Sequence, residues 1–246
     1  MDVLIAAAGL VSTSPILLLA IVLIWLQDRG SPFYVSRRVG RGGRAFPMLK
    51  LRSMFVGAGG TGVDSTIAGD TRITPGGHMI RRCKLDELPQ FWNVLKGDMS
   101  LVGPRPQVER EVDLYTPLEC RLLEVQPGIT DFASIVFADL AEILKGHVDP
   151  DIGYNQLVRP GKSRLSLFYI EHRSLWVDLQ LIALTSMAIV SRRRALLGVQ
   201  YVLRRLGADV DILELASRRK PLVPKPPPGS NQVVTSRDVS RFIQPK

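Results

Sequence analysis

The sequence predicts a mainly α-helical protein with a small β-hairpin, attached to a membrane through its N-terminus. The first observation behind this is an almost wholly apolar stretch at residues 3–26. The second is a glycine-rich turn between two short extended segments. The third is a set of apolar residues at three- and four-residue spacing around residue 90, which is typical of an amphipathic helix. With 246 residues, the chain has room for one sizeable domain with appendages.

The apolar stretch at residues 3–26 has the length of a helix that crosses a bilayer. Ser14 and Pro15 interrupt it near its middle. Because proline removes one helix hydrogen bond and obstructs another, we expect a bend there, with serine hydroxyls satisfying the freed carbonyls. A bent helix allows two topologies. It can span the bilayer as a kinked helix, or it can enter and leave the same leaflet. The residues alone favour the spanning helix.

The next segment is basic and contains a predicted hairpin. Glycines at positions 40, 42 and 43 indicate a tight turn between strands at residues 33–39 and 45–51. A phosphate-binding loop is disfavoured because the lysine-serine ending of that motif is missing. Residues 29–52 contain no acid, which indicates the cytoplasmic side of the membrane and a possible contact with anionic lipids. The cations are Arg29, Arg37, Arg38, Arg41, Arg44, Lys50 and Arg52.

Residues 81–106 contain the candidate catalytic side chains, two adjacent acids between two groups of arginines. Apolar residues at helical spacing predict a helix from about residue 87 to residue 95. Pro89 is tolerable only in the first turn of such a helix, so Asp86 falls at the N-cap. Asp86 and Glu87 are therefore predicted at a positive helix end.

Adjacent acids near arginines suit phosphate chemistry. A carboxylate at this position can bind Mg²⁺, or it can attack phosphorus once arginines have drawn charge from the phosphoryl oxygens. Arg81, Arg82 and Arg105 are the candidate arginines, and prolines on both sides of Arg105 stiffen its backbone. A purely structural interpretation also remains: Asp86 caps a helix, Glu87 complements its dipole, and the arginines face water.

The remaining chain divides by composition. Residues 55–79 are predicted as a surface loop, and helices are predicted at residues 107–125, 138–145 and 165–190. The acids of the first of these helices, Glu119 among them, are expected on its solvated faces. Residues 175–190 are too short to span a bilayer, so they form either an interfacial amphipathic helix or part of the core. The predicted units are a membrane helix (1–28), a main domain (29–190), a basic amphipathic extension (191–219), and a proline-rich linker with a disordered tail (220–246).

Charge and cysteine content exclude several functions. Nearly all of the net charge of +9 belongs to the tail, because residues 191–246 contain twelve basic and four acidic side chains. The rest of the chain is nearly neutral, which argues against nucleic-acid binding. Two cysteines, Cys83 and Cys120, form neither a disulfide framework nor a Cys-x-x-Cys metal site.

Five motifs occur in order along the chain: Lys50-Leu-Arg-Ser-Met54, Leu85-Asp-Glu-Leu-Pro-Gln90, Asn93-Val-Leu-Lys-Gly-Asp98, Ser100-Leu-Val-Gly-Pro-Arg-Pro106 and Pro127-Gly-Ile-Thr130. Together they resemble the monotopic phosphoglycosyl transferases, bacterial sugar transferases that load a polyprenyl phosphate carrier, in their short form without a polytopic N-terminal domain. The resemblance extends from the apolar segment to about residue 190.

The resemblance implies transfer of a sugar-1-phosphate from a UDP-sugar to polyprenyl (undecaprenyl) phosphate, with Mg²⁺ and release of UMP, at the cytoplasmic face of the bacterial inner membrane. It implies that Asp86 is the nucleophile and that Glu87 is its acid/base or metal-binding partner. It assigns phosphate binding to Arg81, Arg105, Lys50 and Arg52. It also favours a re-entrant helix broken at Ser14-Pro15.

Three stretches depart from the family pattern. Residues 75–78, Pro-Gly-Gly-His, differ from the usual lead-in to the catalytic region. Gln126 stands where relatives have an arginine, so one phosphate-binding cation is missing there. Residues 131–134, Asp-Phe-Ala-Ser, replace the usual continuation and indicate a subgroup. The sugar contacts are expected in such loops.

Two rival functions remain open at this point. The first is a non-catalytic membrane scaffold that recruits polysaccharide-assembly enzymes through its basic, proline-rich tail. A truncation after about Gly207 would separate it from an enzyme. The second is a transferase of an intact sugar or a phospholipid head group, which would release UDP or CMP instead of UMP. A homodimer is a further expectation.

Overall fold

The computed structural model describes residues 1–58 and 65–236 of the chain. The described part is mostly helical with a small antiparallel hairpin, which confirms the predicted fold class. Its strands are β1 (Phe33–Val39), β2 (Ala45–Leu51), β3 (Ser100–Val102) and β4 (Gly128–Thr130). Its helices are α1 (Asp2–Asp28), α2 (Pro75–Arg82), α3 (Gln90–Leu95), α4 (Glu109–Val112), α5 (Phe132–Val136), α6 (Leu140–Ile143), α7 (Pro150–Gly153), α8 (Arg159–His172), α9 (Leu175–Val190), α10 (Arg192–Arg205) and α11 (Val210–Ser217).

The hairpin forms where the sequence predicts it. Strands β1 and β2 pair antiparallel, from Phe33 opposite Leu51 to Val39 opposite Ala45. The turn between them needs glycine, because Gly42 and Gly43 have left-handed φ angles of 67° and 76°. Strand β2 contacts α3 and also the 3₁₀ turn at Leu85–Glu87, which contains the two adjacent acids.

Helix α1 is long and apolar enough to cross a membrane, by length and composition. Both of its ends are bonded to the domain that follows. Near its start, the Ser100 hydroxyl donates to Asp2 at 2.6 Å, and at its other end Asp28 pairs with Arg52 at 2.5 Å. Between these ends, Gly9 lies against the Phe91 ring of α3. The helix therefore lies along the domain, while most of its other side chains are exposed.

The serine and proline in α1 compensate for each other. In a regular helix the N–H of residue 15 would donate to the carbonyl of residue 11, and Pro15 has no N–H. The Ser14 hydroxyl donates to the Val11 carbonyl at 2.7 Å and takes that place. Backbone polar groups that lipid could not solvate are thereby satisfied inside the helix.

Replacing Ser14 by alanine should therefore destabilise α1. We expect Ser14→Ala to cost about 1 kcal/mol for a lost hydrogen bond, and to lower the thermal midpoint in detergent by about 2–4 °C. Ser12→Ala is the matched control, because the Gly9 carbonyl that Ser12 contacts also accepts from the Thr13 hydroxyl at 2.7 Å. Equal midpoints for the two variants would contradict this role.

The prediction of a loop at residues 55–79 is wrong at its C-terminal end and lies partly outside the described residues. Helix α2 begins there: Pro75 occupies its first turn, and the Thr74 hydroxyl accepts from the Gly77 N–H at 3.0 Å. Capping and an N-terminal proline outweigh the two glycines. Gly77 also packs closely against the chain that follows β2, since a Cβ on Gly77 would lie 2.0 Å from the Ser53 carbonyl oxygen.

Adjacent glycines of α2 give a matched pair of variants. We expect Gly77→Ala to cost about 1–3 kcal/mol, because the Ser53 backbone would have to move. Gly76→Ala should be neutral or slightly stabilising, because its Cβ would meet only the Gln27 side chain at 3.5 Å. Thermal unfolding of both variants checks this. A Gly77→Ala midpoint equal to that of Gly76→Ala would show that the close approach is dispensable.

The long helix predicted at residues 107–125 is wrong. Helix α4 is short, and a 3₁₀ helix at Glu119–Leu123 follows it after Pro117, because a proline and the residue before it interrupt helical hydrogen bonding. The acids of this segment were predicted on solvated faces. Instead Glu119 is fully buried and pairs with Arg159 of α8 at 2.5 Å.

Helix α9 has two apolar faces. One face is buried in the main core and includes Val177, Leu181 and Leu184. The opposite face is exposed, with Trp176 and Val190 among its side chains. One face of α9 therefore belongs to the core, and the opposite face has the exposed apolar side chains of an interfacial helix. The apolar face of α10 packs into the same core, and its arginines lie outside it.

The proline-rich segment lies on the domain rather than leading away from it. The Thr116 hydroxyl donates to the Pro228 carbonyl at 2.5 Å, and the Gln156 amide donates to the Val234 carbonyl at 2.7 Å. Val234 is buried. The disordered tail stays a prediction for residues 237–246, which lie outside the described residues.

Candidate active site

The adjacent acids Asp86 and Glu87 lie on one 3₁₀ turn, Leu85–Glu87, between α2 and α3. Pro89 has no N–H to donate to the Leu85 carbonyl, which accepts from Leu88 instead at 3.2 Å. Helix α3 begins only at Gln90, with Pro89 at its N-cap. The prediction that Asp86 is an N-cap is therefore wrong.

Asp86 has no structural partner among the described residues. It is 8% exposed, and its Oδ1 atom is buried without a hydrogen bond. A buried carboxylate oxygen without a donor is costly in a ligand-free protein. This removes the purely structural interpretation of Asp86 and identifies an oxygen that is free for a ligand.

Glu87, by contrast, is paired. Its Oε1 accepts from the Arg105 guanidinium at 2.5 Å. Arg105 is placed by a close backbone contact that only glycine allows: a Cβ on Gly128 would lie 2.0 Å from the Gly103 nitrogen. Strands β3 and β4, which contain or adjoin these glycines, pair in parallel, and Arg105 also donates to the Ile129 carbonyl at 3.4 Å.

The surroundings change the pKa values of the two acids in opposite directions. Burial raises the pKa of Glu87, but the charges of Arg105, Lys84 and Lys50 outweigh it and lower that pKa to about 2. Burial, followed by the Glu87 charge, raises the pKa of Asp86. Glu87 is thus held ionised as the partner of Arg105, whereas Asp86 is a more basic carboxylate without a partner.

Two further predicted cations lie at the acids. Lys50, at the end of β2, interacts with both carboxylates, and burial together with the Arg105 charge lowers its pKa to about 7. Arg81, in the last turn of α2, lowers the pKa of Asp86 and donates to the Ser53 hydroxyl at 3.4 Å. The structure thus brings Lys50, Arg81, Asp86, Glu87 and Arg105 together, as the sequence predicts.

The other predicted cations have different surroundings. The Arg52 guanidinium pairs through one nitrogen with Asp28 at the end of α1, and its other terminal nitrogen is buried without a hydrogen bond. Phosphate binding by Arg52 stays a prediction. Arg82 is exposed. Gln126, which replaces a family arginine, donates to the Gly97 carbonyl at 2.8 Å.

A magnesium ion fits this site only with help from a substrate. Within residues 1–58 and 65–236, no group of three or more His, Cys, Asp or Glu side chains could hold a metal ion. Mg²⁺, however, is commonly bound by one or two carboxylates together with substrate phosphates. The free buried oxygen of Asp86 suits such a ligand set.

Sequence reasoning missed a narrow polar cavity beside Arg105. Lys162 and Asp131 line its wall together with Ser134 and Glu111. Two of its polar atoms, Ser134 Oγ and Glu111 Oε2, are buried without a hydrogen bond. The departure of residues 131–134 from the family pattern could have pointed to this cavity. No sequence pattern indicated that Lys162 of α8 would line it.

The sequence matches known proteins along most of its length. The family model for bacterial sugar transferases matches residues 1–192. An Aeromonas hydrophila protein named UDP-N-acetylgalactosamine-undecaprenyl-phosphate N-acetylgalactosaminephosphotransferase is 35% identical over 194 residues, 78% of this chain and 43% of that protein. A UDP-glucose:undecaprenyl-phosphate glucose-1-phosphate transferase of Xanthomonas campestris pv. campestris is 36% identical over 200 residues, 79% of this chain and 39% of that protein.

A protein of the same name from Caulobacter vibrioides is 33% identical over 202 residues, 79% of this chain and 70% of that protein. The chain therefore spans less than half the length of the Aeromonas and Xanthomonas proteins, and most of the Caulobacter protein. The matched region includes every residue of the site described above.

Proposed function

Because the chain belongs to the bacterial sugar transferase family, we propose that it transfers a sugar-1-phosphate from a UDP-sugar to undecaprenyl phosphate and releases UMP. This would be a first membrane step of bacterial surface-glycan assembly. The names of its relatives support this donor and acceptor. The observation that carries the proposal is the free buried oxygen of Asp86 beside Lys50, Arg81 and the Glu87–Arg105 pair.

In the first step of the proposed reaction, an Asp86 oxygen attacks the β-phosphorus of the donor. The bond between that phosphorus and the bridging oxygen breaks, and UMP leaves with the bridging oxygen and the bonding electrons. The sugar phosphate is now joined to the Asp86 carboxylate. Both reactants are anions, so the charges of Lys50, Arg81 and Arg105 must lower their repulsion before attack.

In the second step, an oxygen of undecaprenyl phosphate attacks the same phosphorus. The Asp86 carboxylate leaves, and a sugar-linked polyprenyl diphosphate forms. A covalent intermediate lets a water-soluble donor and a lipid acceptor use one site in turn. Asp86 suits this role because no hydrogen bond or ion pair must be broken before it reacts.

Glu87 acts differently from Asp86 in this scheme. Its pKa of about 2 keeps it ionised, which disfavours a role as a general acid near neutral pH. We assign Glu87 to holding Arg105 and, with Asp86, to binding Mg²⁺. A bound Mg²⁺ would neutralise charge on the donor phosphates.

The setting we propose is the cytoplasmic face of the bacterial inner membrane. The bonds of Asp2 and Asp28 to the domain support re-entry of α1 into one leaflet, because a helix that crossed the bilayer would carry one end away from the domain. The exposed apolar face of α9 and the basic residues of β1 suit an interface with anionic lipid. A homodimer stays a prediction.

UMP release tests the proposed function. Purified protein in detergent is given Mg²⁺, undecaprenyl phosphate and one UDP-sugar at a time. We expect UMP with at least one donor, together with a lipid-linked sugar diphosphate. Release of UDP would instead indicate transfer of an intact sugar, and the absence of any product with folded protein would contradict the proposal.

A further inference from the structure

Lys162 is a cation without an acidic partner at the edge of the candidate active site. It lies in the first turn of α8, and its side chain lines the cavity that Arg105 and Asp131 also line. No carboxylate in the described part of the chain lies within 4.0 Å of its ammonium group. Its ammonium group lies 5.4 Å from the centroid of the Tyr154 ring.

The acid of the same cavity wall that interacts with Lys162 is already engaged. The Asp131 carboxylate accepts from the Ser134 N–H at 2.7 Å and from the Ser166 hydroxyl at 2.5 Å. Asp131 is fully buried, and its charge acts on Lys162 from a distance without forming an ion pair. Ser166 lies one helical turn after Lys162, so α8 presents both side chains towards the end of β4.

The ligand-free protein holds Lys162 at a cost. Burial and repulsion from Arg105 lower the pKa of Lys162 to about 8. A half-buried cation that is repelled by a neighbouring cation and lacks a carboxylate partner destabilises the protein that holds it. A cation–π contact with Tyr154 does not require this burial, because such contacts form readily at exposed sites.

We propose that Lys162 is a further phosphate-binding residue, whose ammonium group contacts the diphosphate of the nucleotide-sugar donor from the side opposite Glu87. Arg105 connects the two parts of the site, because it pairs with Glu87 and lines the cavity of Lys162. The Asp131 charge opposes the lowering of the Lys162 pKa, while its carboxylate oxygens are bonded to Ser134 and Ser166. The inference rests on the proposed function.

Binding of UDP to the full-length protein tests the inference without requiring turnover. UDP supplies the diphosphate and lacks the sugar, so it cannot be a donor. We expect Lys162→Met to weaken UDP binding about 10-fold or more, as for a lost charge-assisted hydrogen bond. Lys162→Arg should stay within about threefold, because it keeps the charge. Lys145→Met is the control, because Lys145 is exposed and outside the cavity.

Thermal unfolding separates binding from a structural role. If Lys162 awaits an anion, the ligand-free Lys162→Met protein should be at least as stable as the parent, and UDP should raise its midpoint less. UDP affinity of Lys162→Met equal to that of the parent would overturn the inference. A lowered midpoint of ligand-free Lys162→Met, together with weak UDP binding by Lys162→Arg, would also overturn it, in favour of a structural lysine.

The outcomes distinguish this inference from the proposed function. Parent protein that releases UMP, with unchanged UDP binding by Lys162→Met, would overturn only the role of Lys162. Parent protein that binds UDP through Lys162 but releases no UMP from any donor would contradict the proposed function and leave the diphosphate site supported.

Discussion

Asp86→Asn is expected to abolish UMP release, with a loss of about 10⁴-fold or more, as for removal of a covalent nucleophile. The amide has nearly the shape of the carboxylate but is a far weaker nucleophile and a poor metal ligand. Because Asp86 makes no hydrogen bond or ion pair among the described residues, the substitution should leave the fold intact. The measurement is the rate of UMP release under saturating donor and lipid.

Asp113→Asn is the matched control for this change. Asp113 is exposed in the same domain, and its substitution by asparagine removes the same charge. We expect its rate to equal that of the parent, and both variants to remain with the membrane fraction. Substantial UMP release by Asp86→Asn, from a preparation free of parent enzyme, would contradict the nucleophile assignment.

Arg105→Ala should lower the rate by about 10²-fold or more, as for removal of one donor that stabilises charge in the transition state. Two effects combine here. The phosphoryl oxygens lose a guanidinium, and Glu87 loses the partner that most strongly lowers its pKa. Without that partner, the pKa of Glu87 should rise, because burial is then opposed only by weaker charges.

The control for Arg105 is another paired arginine. Arg121→Ala removes an exposed ion pair with Glu171 at 3.0 Å, which is expected to contribute at most about 1 kcal/mol. Its rate should match that of the parent. If Arg105→Ala retained a rate within a factor of two of the parent, Arg105 would be a purely structural residue.

The sequence predicts those parts of the fold that local patterns determine. The hairpin strands occur at the predicted residues because a glycine turn with left-handed φ angles has few substitutes. The long apolar helix and the grouping of Asp86 and Glu87 with Arg81, Arg105 and Lys50 are likewise as expected. The adjacent acids and the stiff backbone around Arg105 predicted the acids with Arg81 and Arg105, whereas Lys50 was expected there only through the resemblance to the family.

Other features depend on contacts that no local pattern reveals. Arg52 resembles a phosphate ligand by motif, but its partner is Asp28 on another element. Glu119 resembles a surface acid in the sequence, but in the structure it is buried in an ion pair with Arg159 of α8. Lys162 has no motif at all, and only the packing of α8 against α5 brings it to the cavity that Arg105 also lines. Pro89 was assigned to the right helix but not to the right position, because a 3₁₀ turn closed by the Leu88 N–H precedes the helix and leaves Pro89 at its N-cap.

The structure also changes the test of the scaffold alternative. A cut after Gly207 would remove α11, whose Leu215 packs beside Gly161, and the ion pair between Arg218 and Asp139 at 3.2 Å. Loss of activity would then reflect lost packing. A cut after residue 236 leaves these contacts and the proline-rich segment in place. An enzyme should then keep its rate, whereas a scaffold that acts through residues 237–246 should lose its partner.

The covalent intermediate is the central claim, and mass spectrometry after a single turnover tests it most directly. The protein is mixed with Mg²⁺ and a UDP-sugar that it accepts, with undecaprenyl phosphate left out, and is then quenched and digested. We predict a burst of UMP no larger than the amount of enzyme, and a peptide containing Asp86 heavier by one sugar phosphate, absent in Asp86→Asn. If UMP appears only when the lipid is present and no peptide gains mass, the lipid attacks the donor directly and the account is wrong.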